Sequence, residues 1–149
     1  MKDHHVLFEE YLSRHAGRYT SQKKIIVEHV FEAKEHFEIE DFINNLRAEK
    51  YRFSRSTVYR TVRQLLEASL IQKISTHDGK VLYEPKRGRR HHDHLICNSC
   101  GKILEIKQPV IDEFLDKHCE KIGFTPEYRS LHIYGYCKQC AKKQVLKRH

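Results

Sequence analysis

The 149 residues carry a formal net charge of +8 and a sequence pI of about 9.3, with room for one ordinary domain or for two thin-cored ones of roughly 80 and 60 residues. No run of about 18 apolar residues is present to span a bilayer, and MKDHHVLFEE lacks the basic-then-apolar order of a secretory signal, so a cytoplasmic protein is expected. The basic balance fits an anionic partner.

Apolar spacing through Val6, Leu7 and Tyr11, then through Ile25, Ile26, His29 and Val30, predicts two helices separated by a break at 17–21, with Ser21 as the cap. Ile39, Phe42, Ile43 and Leu46 form the i, i+3, i+4, i+7 stripe of a third helix that ends near Lys50. Ser54 stands at an N-cap position before a fourth, whose stripe is Val58, Val62, Leu65 and Leu66. Residues 71–76 and 80–84 are β-prone, and Asp78-Gly79 between them suits a tight hairpin turn. Helices followed by a hairpin predict a winged helix-turn-helix over 1–84. PKRGRR, 85–90, reads as a hinge. Beyond it, over 91–149, short strands at 92–96 and 102–106, a helix at 109–122, a strand at 128–134 and a frayed basic tail from 141 predict a small α+β domain. The fold class expected for the whole chain is α+β.

Cys97-x-x-Cys100-Gly101 and Cys137-x-x-Cys140 are two knuckles, each able to bring two thiolates to one ion. In a reducing compartment they are expected to hold zinc rather than to form disulfides. Four thiolates close the coordination shell, so the zinc would be structural. Cys119 falls within the 109–122 helix as a small packed side chain.

His91-His92-Asp93-His94 is the densest cluster of ligand types in the chain. If extended, it sends His92 and His94 to one face and His91 and Asp93 to the other. Imidazoles and carboxylates without thiolate suit Fe2+, Mn2+, Zn2+ or Co2+. On the fourth helix, Arg55, Ser56, Tyr59, Arg60 and Arg63 share the face opposite the apolar stripe. An exposed aromatic among arginines can meet thymine methyls while the guanidinium groups take phosphates or guanine edges.

The segments Ser56-Thr57-Val58-Tyr59-Arg60, then HHDHLICxxCGK at 91–102, then IYGYCxxC at 133–140 together resemble the ferric uptake regulator family of bacterial metal-dependent repressors, over residues 16–140. The resemblance implies a winged-helix DNA-binding domain, a dimerisation domain and a regulatory metal held by His36, Glu84, His92, His94 and Glu105. Tyr59 and Arg60 match base-reading positions within a DNA-binding set of Arg18, Arg55, Ser56, Thr57, Tyr59, Arg60 and Arg63, in which Arg18 falls near a lysine that enters a minor groove. A second metal site would use His91, Asp93 and Asp112, but its fourth ligand, a histidine in the family, aligns with Arg129. An arginine cannot ligate, and it could instead pair with Asp93 or Asp112. His132, three positions along, falls on the other face.

The function expected is a repressor that binds an inverted-repeat operator as a homodimer, with a tetramer left open, and that takes Fe2+, Mn2+ or another divalent ion as co-repressor. Within the family, a peroxide sensor that oxidises its ligand histidines is the alternative, although that branch commonly carries aspartate where Glu84 stands. A metallo-hydrolase would leave the cationic helix unexplained, and a zinc-stapled protein-interaction module would leave Tyr59 and its arginines unexplained.

Overall fold

The computed structural model describes residues 3–33, 36–86, 93–126 and 129–146. His91, His92 and most of the expected hinge lie outside the described residues. The chain forms two compact units, one of residues 1–75 and 79–89 and one of 76–78 and 90–149.

In the first unit, helices α1 (His4–Arg14), α2 (Ser21–Glu32), α3 (Ile39–Ala48) and α4 (Arg55–Glu67) precede an antiparallel hairpin of β1 (Ile71–Ser75) and β2 (Val81–Pro85). This is a winged helix-turn-helix. Each helix start is set by a local side chain or acid. The Asp3 carboxylate accepts from the His5 amide at 3.2 Å, and the Ser54 hydroxyl accepts from the Thr57 amide at 3.2 Å. For α2 the cap is Thr20 rather than Ser21: Thr20 keeps extended backbone angles and its hydroxyl faces the Lys23 amide at 3.4 Å, which draws Ser21 into the helix. Gly79, at φ +81°, supplies the left-handed residue of the hairpin turn.

The core joins Phe8 and Leu12 of α1 to Ile26, Val27 and Val30 of α2, Phe42, Ile43 and Leu46 of α3, Val58, Val62 and Leu65 of α4, and Ile71 of β1. The expected register of α1 is shifted. Val6 and Leu7 are exposed, because the helix turns the aromatic Phe8 and the i+4 Leu12 inward, and these cover more apolar surface. On α2 Val27 takes a core place, while Ile25 and His29 sit half-buried.

One further pairing matters for function. Phe37, just before α3, exchanges two backbone hydrogen bonds with Tyr83 of β2, at 3.0 and 2.9 Å, so the 36–38 segment lies antiparallel to the wing.

The second unit contains β3 (Asp93–Cys97), β4 (Ile103–Ile106), α5 (Pro109–Lys121), β5 (His132–Gly135) and α6 (Lys138–Leu146). Its sheet has the order β4-β3-β5, with β3 antiparallel to β4 and parallel to β5. The mixture of helices and small sheets makes the whole chain α+β. Two expectations change. The last strand is shorter than 128–134, and the tail expected to fray from 141 is helical through Leu146. The second cysteine knuckle starts that helix: the Ala141 amide bonds the Cys137 carbonyl at 2.8 Å, and the chain continues the turn already made.

Leu65→Ala, at a position with no exposed surface, is expected to lower the unfolding free energy by about 2–5 kcal/mol. Val6→Ala, on the solvent face of α1, should shift it by no more than about 0.5 kcal/mol. Urea denaturation of the two variants checks both the core and the register of α1.

Candidate metal centres and nucleic-acid face

The four cysteines of the two knuckles converge within the second unit. Cys97 ends β3, Cys100 closes the turn that follows it, and Cys137 and Cys140 flank the start of α6. Gly101, at φ +71°, lets the first knuckle turn back into β4. One ligand atom from each cysteine lies within 4.8 Å of the others, and Cys100 Sγ is 3.8 Å from Cys137 Sγ. Four thiolates held about 2.3 Å from one tetrahedral ion would stand about 3.8 Å apart, so this spacing fits zinc. The amides favour an anionic sulfur here. Backbone N–H groups of Cys137 and Cys100 hold the Cys97 thiol down to about 6, and the Cys140 N–H lowers Cys137. A hydrogen bond from Ser99 works to lower Cys140, but the neighbouring cysteines and burial outweigh it and push that thiol up to about 11. Cys119 sits half-buried on α5, apart from this group.

Each unit also presents a histidine opposite a glutamate. In the first, the Phe37–Tyr83 pairing puts their neighbours His36 and Glu84 side by side, with His36 Nε2 3.7 Å from Glu84 Oε2. Both side chains are largely shielded, and the Gln72 amide, across the β1–β2 ladder, donates to Glu84 Oε2 at 2.8 Å and fixes the carboxylate. In the second unit, His94 and Glu105 are direct cross-strand partners of β3 and β4. His132 of β5 is level with His94 on the other side, their ring centroids 5.6 Å apart. His94 has no exposed surface, whereas Glu105 reaches solvent. Donor atoms bound to one ion at about 2.1 Å stand roughly 3 to 4 Å apart, so the His36–Glu84 pair is spaced for one.

Asp93, next along β3, turns the other way. Its carboxylate is buried and meets Arg129 Nη2 at 3.0 Å, and the same nitrogen contacts Asp112 in the first turn of α5.

The cationic face of α4 is exposed at Arg55, Ser56, Tyr59, Arg60 and Arg63, as is Arg18 in the connection between α1 and α2. Thr57 differs: it is half-buried, with its hydroxyl 2.7 Å from that of Ser54 in the cap. Half-buried Lys23 of α2 lies near Arg60, and burial, with the charge of that arginine, lowers its pKa. One acid intrudes. Glu40 Oε1 of α3 accepts from Tyr59 Oη at 2.5 Å and from Arg55 Nη2 at 2.6 Å, and that hydrogen bond raises the tyrosine pKa. Gln72, Lys23 and Glu40 carry no sequence signal of their own; only register and helix packing bring them to these places.

The ferric uptake regulator family model matches residues 15–134. The chain belongs to that family. It is 34% identical over 111 residues to the ferric uptake regulation protein of Neisseria meningitidis, a match covering 74% of this chain and 76% of the relative. Against that of Campylobacter jejuni it is 29% identical over 140 residues, covering 93% and 88%. The ferric uptake regulator of Francisella tularensis, solved with iron, superposes with a TM-score of 0.65 at 30% identity, covering 83% of this chain and 94% of the other. Family membership makes the protein a metal-responsive, DNA-binding transcriptional regulator. No described helix is long and apolar enough to cross a membrane.

Two outcomes are expected. Cys137→Ser, or zinc removal by a strong chelator at neutral pH, should abolish the β-sheet signal of the second unit in circular dichroism while the helices of the first persist, with Zn2+ restoring the signal of the native chain. Glu40→Gln should tighten binding to duplex DNA by about 3- to 10-fold at low salt, because a carboxylate facing the phosphates is removed. Fluorescence anisotropy measures the latter, and a weakened complex would mark Glu40 as an orienting group instead.

Proposed function

We propose that this protein is a repressor that binds an inverted-repeat operator as a homodimer, with a divalent ion, foremost Fe2+, as co-repressor and Zn2+ as a structural ion. Cys97, Cys100, Cys137 and Cys140 would hold the zinc. His36 and Glu84 of a DNA-binding domain over 1–84, with His92, His94 and Glu105 of a dimerisation domain over 91–149, would hold the regulatory ion across a hinge at 85–90. The reading is carried by one observation: backbone pairing sets an imidazole against a carboxylate in each unit, 36 against 84 and 94 against 105.

The donor set, imidazole and carboxylate without thiolate, suits Fe2+ and its neighbours, and the Francisella relative was solved with iron. When bound, the ion supplies bonds that only one arrangement of the two domains can satisfy, and its differential affinity biases the chain toward that arrangement. The protein's own part is to hold the ligands. Gln72 aims the Glu84 carboxylate, and the β3–β4 ladder fixes His94 against Glu105.

Dimer formation is supported by the second unit's surface. No side chain of α5 is buried within the chain, Val110 and Phe114 are 75% and 68% exposed, and Leu104 and Ile133 stand bare on the sheet. A second copy covering these would bury apolar area that one chain leaves in water. Paired copies of α4 could then read two half-sites, with Tyr59 and Arg60 meeting base edges, Arg55, Ser56 and Arg63 the backbone and Arg18 an adjacent minor groove, while Thr57 supports the cap of α4. Such a regulator works in the cytoplasm, where its operator is.

The test is operator binding by gel shift under titration with Fe2+, Mn2+ and Zn2+, under strictly anaerobic conditions. The wild-type chain should gain at least about tenfold in affinity on ion addition, a coupling of about 1.4 kcal/mol. His92→Ala/His94→Ala should lose that response while keeping its ion-free affinity. An undiminished response in the double variant would overturn the ligand assignment, and oxidation of His36 or His92 after peroxide treatment of the iron form would make the protein a peroxide sensor.

A further inference from the structure

The geometry points to Arg129 as a resident cation that replaces an exchangeable metal ion between β3 and α5. Asp93 is 1% exposed, and a carboxylate taken that far from water is stable only against a positive charge or several donors. Asp112, in the first turn of α5, brings a second carboxylate to the same place. Two carboxylates from separate elements, next to a histidine-bearing strand, are what a divalent ion would select. Here Arg129 Nη2 sits 3.0 Å from Asp93 and also contacts Asp112, so one nitrogen bridges both acids. The residues therefore do not fit the second regulatory ion that the family resemblance implies: an arginine stands where the fourth ligand would be, and its charge fills the space.

A guanidinium differs from an ion in three ways. It is covalently attached, so no chelator removes it and no change in metal supply empties the position. Its attachment does not compete with protons, whereas a metal ion's hold on imidazole and carboxylate ligands does. It carries one positive charge against two carboxylates, whereas a divalent ion would neutralise both. The contact that ties the first turn of α5 to β3 is thus permanent, and this part of the second unit does not report on metal. His132 does not restore a site here, because it lies level with His94, on the opposite face from Asp93.

Two measurements on the full chain test this, and both are differences that do not depend on whether His92 and His94 bind the regulatory ion. Equilibrated with Mn2+, desalted and analysed by elemental mass spectrometry, Arg129→His should retain one more Mn2+ per chain than the wild type. In thermal melts without added Mn2+, Asp93→Asn and Arg129→Met should each lower Tm, and the double variant should lose clearly less than their sum, since it leaves no buried unpaired charge. Equal Mn2+ stoichiometry in a folded Arg129→His would overturn the proposal, and so would an additive double variant. If Arg129→His does not fold, the melts alone decide.

Discussion

Antiparallel backbone pairing places an imidazole directly across from a carboxylate in each unit, and the proposed regulatory metal site depends on that registry. Residues far apart in sequence, 36 and 84, meet because Phe37 and Tyr83 exchange backbone hydrogen bonds. His94 and Glu105 meet because β4 turns back along β3 after the first cysteine knuckle. A slip of one residue in either ladder would send one member of the pair to the opposite face and leave the other alone. The apolar neighbours guard against this. Phe37 packs on Phe42 with centroids 4.9 Å apart, and Ile96 beside the knuckle is almost wholly buried.

The alternation of β3 then separates two environments within two residues. His94 shares a row with Glu105 and His132, while Asp93 faces Arg129 and Asp112. One row offers neutral or anionic donors to an ion. The other already contains its cation. The difference is a single side chain at 129, whose guanidinium contacts both Asp93 and Asp112.

Much of this was legible beforehand, for identifiable reasons. The helix stripes of α3 and α4, the Ser54 cap, the Asp78-Gly79 turn and the two knuckles are local patterns, each decided within a few residues. Asp93 and His94 pointing to opposite faces follows from strand geometry alone. What escaped was non-local. The inward turn of α1 depends on which of its apolar side chains best fills a core built from α2 to α4. The Phe37–Tyr83 pairing that assembles His36 with Glu84 involves segments without strand pattern on one side, so only the family resemblance named His36. Gln72 and Glu40 look like ordinary surface residues until register sets one beside Glu84 and helix packing sets the other beneath Tyr59. Thr57 was read as part of the recognition surface from its place in a motif, yet its hydroxyl belongs to the cap.

The parallel pairing of β3 with β5 has a consequence for biosynthesis. A parallel neighbour cannot be reached by a tight turn, so the chain runs through β4 and the whole of α5 before β5 returns to the sheet. Cys97 and Cys100 leave the ribosome with the early part of this unit, but Cys137, the partner of Cys100, follows 37 residues later. The winged helix, by contrast, has all its elements in place once Pro85 has been made, and it can fold while the remainder is still being translated. Acquisition of the structural zinc is therefore a late maturation event, and a nascent chain stalled within α5 would display a folded DNA-reading head on an immature, zinc-free body.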